Sequence, residues 1–125
     1  MKELHILNQL RFSRSEFQKG FMGVNEADSR RRFMPINSIA WIVGHLAWHE
    51  QHYWLKRAQG IIPFPKLDEV TAFGKPPADV ALKEMVDLWE AGEKVLVFAF
   101  YRQTCRALRI HISQEIEHRI LSSAK

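Results

Sequence analysis

Three histidines, His45, His49 and His52, fall within the stretch NSIAWIVGHLAWHEQHYWL, Asn37 to Leu55. Neutral imidazole nitrogens bind divalent metals, and two imidazoles four residues apart on one helix can grip a single ion. Each helical residue turns by about 100°, so with His45 at zero, His49 falls near +40° and His52 near −20°. All three share one narrow face, and all three are candidate metal ligands. His45 lies between apolar flanks and is the first candidate. His45 and His49 together supply half of a tetrahedral shell. His52 lies about 10 Å along the axis from His45, too far for both to share one ion with His49. A complete site therefore needs ligands from another helix. His111, Glu115 and His118 are the nearest by pattern, since i,i+4 and i,i+3 spacings bring side chains onto one face. The competing reading is that each histidine is an ordinary hydrogen-bonded side chain on an aromatic core helix.

Other chemistry has little support. There is no Gly-x-Ser-x-Gly, no Gly-x-x-x-x-Gly-Lys and no His-Glu-x-x-His. In His49-Glu50-Gln51-His52 the histidines are three apart, and Glu50 points about 100° away from His49, so protease chemistry of the zincin type is not indicated. Cys105 has basic neighbours at Arg102, Arg106 and Arg109. These could lower a thiol pKa, or the cysteine could be an ordinary packed residue.

The elements that must position these groups read as helices. Leu4, Leu7 and Leu10, followed by Phe12 and Phe17, predict a first helix ending near Lys19, before the breakers Gly20 and Gly23. Residues 20–36 read as a loop with one possible helical turn. Asn37 is a suitable N-cap for the second helix, which runs to about Gln59, with Gly60 at the favoured C-terminal position. That helix is apolar almost all round, so a central place is expected, with Trp41, Trp48 and Trp54 in the core. Gly44, beside His45, permits close approach of either a second helix or a ligand.

Residues 60–79 hold four of the five prolines. Antiparallel neighbouring helices need only about 2–8 connecting residues. A connection this long predicts a crossover returning the chain to the same end of a bundle, with the second and third helices parallel. Asp79 is placed to cap the third helix, whose stripe is Leu82, Val86, Trp89 and Leu96. From Glu93 to Lys125 there is neither glycine nor proline, so one long helix continues or a turn hides near residues 101–104. Nothing alternates long enough to demand a sheet. The expectation is one all-α domain over residues 1–125.

The chain has 125 residues, net charge +4 and a single cysteine. An internal disulfide is thereby excluded, and a cytoplasmic setting is expected. No apolar run approaches the ~20 residues of a membrane span, and the start, MKELHILNQLRF, does not read as a signal peptide. The clusters Arg30-Arg31-Arg32 and Arg102, Arg106, Arg109 come without a nucleic-acid motif, so neither nucleic acid nor membrane is an expected partner.

The stretch NSIAWIVGHLAWHEQHYWL resembles the second-helix motif of the DinB-like superfamily, which includes bacillithiol- and mycothiol-associated enzymes. The likeness continues through LDEVTAFGKPPADVALKEMVDLWE, similar to that family's second connection and third helix. The resemblance implies a four-helix bundle in up-down-down-up order. It also implies a divalent metal, often zinc or nickel, held by three histidines. One comes from the Gly-His-Leu motif, here Gly44-His45-Leu46; the other two come from a His-x-x-x-His-like motif on a fourth helix. Here His111 and His118 are seven apart, so a short or altered fourth helix is expected. The function implied is that of a metal-dependent thiol transferase or hydrolase acting with a small-molecule thiol. The alternative is a noncatalytic helical module that binds a small ligand or forms a homodimer over an exposed apolar groove.

Overall fold

The computed structural model describes residues 2–123. Helix α1 spans Lys2–Phe21, the short α2 Glu26–Arg30, α3 Ile39–Glu50, α4 Pro65–Val70 and α5 Leu82–Ser123. Helix α3 continues without a break into a π-helical segment, Gln51–Arg57. Among the described residues no strand forms, so the architecture is all-α as the periodicity predicts. The side chains of Cys105, His111 and Glu115 lie outside the described residues.

Contacts fix the helix directions. Gly44 of α3 faces Met85 of α5, and Leu55, eleven residues on, packs in one cluster with Leu96 and Ala99. Both chains advance together, so α3 and α5 are parallel, as the long crossover requires. Helix α1 runs the other way: Phe21 meets Trp89 edge-on at 5.5 Å, while Leu10 packs beside Leu55 and Leu96. This is the first three-quarters of the up-down-down-up order. After Ala99 the chain does not turn. It continues α5 for 24 more residues, roughly 36 Å of helix. The altered part of the fold is thus an extension of the third long helix.

The main core joins Trp41, Val43, Ala47 and Trp48 of α3 to Leu67 and to Leu82, Met85 and Trp89. Met85 is fully buried and Leu55, Leu67 and Leu96 are nearly so, each worth about 1.5–3 kcal/mol of transfer free energy. A charged cluster sits beside it. Arg14 is buried, pairs with Glu50 on α3 and lies 3.8 Å from Glu93 on α5. It donates to the Trp89 carbonyl at 2.6 Å, and its guanidinium rests 3.9 Å from the centre of that indole ring. One side chain therefore ties α1 to both parallel helices. Burial pushes the Glu50 carboxyl up, against the opposing pull of Arg14.

Several local expectations are corrected. The N-cap of α3 is Ser38, whose hydroxyl accepts from the Trp41 amide at 3.2 Å, rather than Asn37. Asp79 does not cap α5; it faces Arg30 at 3.6 Å. The cap comes from α2, where the Glu26 carboxylate accepts from the amides of Leu82 and Lys83 at 3.0 and 2.8 Å. Those bonds, that to Lys83 foremost, hold the Glu26 carboxyl below its usual range. Phe12 and Phe17 point to solvent, because Leu7, Leu10 and Arg14 form the buried face of α1. Trp54 is half exposed. Gly60, at φ +70°, ends the π-helical segment. Its amide bonds Lys56, and the Ile61 amide bonds Leu55.

Gly44 is the point of closest approach. A Cβ built there would overlap Met85 and lie 2.7 Å from Cγ2 of Thr71. Gly92, on α5, has nothing within 4 Å of the same construction. Gly44→Val is expected to lower unfolding free energy by roughly 2–3 kcal/mol through overpacking. Gly92→Ala should raise it by up to about 1 kcal/mol through helix propensity. Urea unfolding of the two variants checks this, and a Gly44→Val protein as stable as the parent would contradict the close approach.

Candidate metal centre

One face of α3 carries polar tips at regular intervals, and each reaches the crossover. Trp41 Nε1 donates to the Val70 carbonyl at 3.2 Å. His45 Nδ1 meets the Thr71 carbonyl at 2.7 Å. Trp48 Nε1 donates to Asp68 Oδ1 at 2.8 Å. The buried Gln51 amide clamps Phe64 in both directions, donating to its carbonyl at 3.1 Å and accepting from its amide at 2.8 Å. Helix α4 is thereby pinned along α3. Leu67 and Thr71 are buried beneath it, and Thr71 caps its own turn by donating to the Leu67 carbonyl.

The bond to Thr71 fixes the state of His45. A carbonyl only accepts, so Nδ1 carries the proton, and in the neutral ring Nε2 carries the lone pair. Nε2 of His49 lies 3.1 Å from that lone pair. With no ion between them, His49 donates its Nε2 proton to His45. Burial, and then the neighbouring His45 and His52 rings, hold the His49 imidazole below its usual pKa. Both effects favour the neutral ring, the form that ligates metals.

Aromatic stacking sets the ring planes. His45 lies between Trp41, at 4.7 Å and 17°, and Trp48, at 5.5 Å and 14°. His49 meets His45 edge-on at 4.5 Å and stacks on Tyr53 at 5.5 Å. His52 stacks on Trp48 at 4.7 Å and 23°. Trp48 thus stands between His45 and His52, and the structure brings His45 and His49 together without His52. Nδ1 of His52 is buried with no hydrogen-bond partner.

The tail carries its histidines away along α5. His111 and His118 lie 26 and 33 residues beyond Met85 on one continuous helix, roughly 40 and 50 Å along its axis. His118 is solvent-exposed. Among the described residues no three of His, Cys, Asp and Glu converge in a metal-binding group. A recess of about 500 Å³, lined by His49, Glu50, Tyr53 and Trp54, opens beside the pair.

Two parts of this centre escaped the sequence reading. The Thr71 carbonyl is a backbone group and leaves no signature. The buried Arg14–Glu50 pair did leave one: Arg14 falls seven residues after Leu7, on the apolar stripe, where a charge needs a partner.

Three long helices, the second and third parallel across a long crossover and the first antiparallel to both, with an imidazole after a glycine on the second, define the class. The DinB superfamily profile matches residues 9–107, and the chain belongs to that superfamily. No curated protein and no solved structure matches the chain. Among the described residues, no helix is long and apolar enough to cross a membrane.

Proposed function

We propose that this chain binds a divalent metal ion, zinc or nickel, through Nε2 of His45 and Nε2 of His49. The 3.1 Å approach of these two nitrogens carries the reading. Ligands on one tetrahedral ion at zinc–nitrogen distances of 2.0–2.1 Å lie about 3.3 Å apart, so the rings need only a small adjustment, while the His49 proton passes from Nε2 to Nδ1 to free the ligating lone pair. The Thr71 carbonyl holds His45 with the lone pair on Nε2 and adds basicity to it, the usual role of such a partner behind a metal-bound imidazole. Trp41 and Trp48 keep the ring from rotating. His52 is left out, because Trp48 shields it from His45. Two nitrogens leave the remaining positions to solvent or to a ligand entering by the recess at Tyr53 and Trp54. A metal with open positions would activate water or a small-molecule thiol, the chemistry of a hydrolase or thiol transferase.

Titration of metal-free, untagged protein with zinc and with nickel tests this. We expect stoichiometric binding, with affinity reduced at least about tenfold in His45→Ala and in His49→Ala, as large as outer-shell losses alone produce. His52→Ala should bind like the parent. No uptake of either metal, or equal affinity in all three variants, sinks the proposal.

A second reading, in which a partner closes the recess at Tyr53 and Trp54, is a homodimer. Ile39, Ile42, Tyr53 and Trp54 are exposed along one side of α3 and its π-helical continuation. Apolar rows of this kind are covered by partners, and a second copy meets the same row on its own α3 through a two-fold axis. Sedimentation at about 50 μM should show a dimer that Ile42→Glu dissociates; a parent that stays monomeric contradicts it.

A further inference from the structure

We propose that the chain binds a small anion-bearing molecule, with a phosphate or carboxylate group, in the recess between the end of the π-helical segment and α5. This site is separate from the histidine pair, since Ala58 lies 13 residues beyond His45, roughly 20 Å along the helix.

The recess measures about 420 Å³ and is lined by Ala58, Gln59, Ile61, Arg102 and Arg106. That volume suits a small metabolite. Its floor is apolar, from Ala58 and Ile61. Arg102 and Arg106, at i and i+4 on α5 and both exposed, line the recess from the other side. Like charges at this spacing repel each other, so the pair is locally unfavourable. Arg11 and Arg14 pair with Glu93, Arg30 with Asp79 and Arg31 with Asp28, whereas Arg32 bonds the Ile36 carbonyl and Arg57 lies over the Tyr53 ring. Among the described residues neither Arg102 nor Arg106 has a carboxylate partner. Among the described residues no acidic side chain lines the recess, and Lys56 and Arg57 add positive charge in the turn before it.

The competing role is compensation of the helix C-terminus, whose free carbonyls favour nearby cations. Three carbonyls near that end, of Trp54, Leu55 and Lys56, are already occupied. Gly60 and Ile61 amides bond Lys56 and Leu55, Ala58 bonds Leu55, and the Gln59 side chain donates to Trp54 at 3.2 Å. Two forked guanidiniums remain available, and the planar fork matches the oxygens of phosphate and carboxylate.

Calorimetric titration of the metal-free full chain in constant 150 mM chloride, with inorganic phosphate in one arm and succinate in the other, tests the site. We expect saturable binding of at least one anion, weakened about tenfold or more in R102Q/R106Q, as loss of charge-assisted bonds requires. The tighter of the two probes names the anion class. Both side chains are exposed, so the double variant should keep the parent's circular dichroism and melting temperature in chloride. Absence of saturable binding in both arms overturns the proposal, as does equal affinity in the folded double variant.

Discussion

The hydrogen bond from His45 to the Thr71 carbonyl depends on the missing side chain at Gly44. With no Cβ at that position, Met85 and Thr71 come directly against α3. The close approach brings the backbone of residue 71 within 2.7 Å of the imidazole one residue on. The same packing that joins α3 to α5 therefore selects the tautomer of His45 and the direction of its lone pair. Core packing and site chemistry share one small residue. A larger one would separate the helices and release the ring together.

The crossover is part of this arrangement rather than a slack connection. Residues 64–71 accept or exchange hydrogen bonds with Trp41, His45, Trp48 and Gln51 along one face of α3. Indole and amide groups buried without such partners would cost free energy, so the aromatic face and the crossover specify each other. On the opposite flank Arg14 does comparable work between α1, α3 and α5. Removing one partner of a buried ion pair typically costs about 3–5 kcal/mol, which makes the helix order hard to rearrange.

Much of this was legible in the sequence. Connection length gave the parallel order, because a 20-residue, proline-rich segment is too long for a hairpin of helices. The i,i+4 spacing of His45 and His49 gave their shared face, and the ~10 Å rise separated His52. The caps were not legible: Asn37 and Ser38 are both good cap residues, and only tertiary packing selects between them. Glu26 caps a helix 56 residues away, which no local signal reveals. Trp54 reads as core on a helical wheel but is half exposed, lying in the π-helical continuation of α3, where the wheel's α-helical period no longer holds. The path beyond Tyr101 was open between a turn and a continuation. The absence of glycine and proline favours continuation, and α5 continues.

The proposal that the histidine pair holds a metal is open to a direct test. X-ray absorption spectra of the zinc-loaded protein should show two imidazole nitrogens at about 2.0–2.1 Å, one of them lost in His45→Ala and one in His49→Ala. A first shell made only of oxygen, or one unchanged by either substitution, would contradict it.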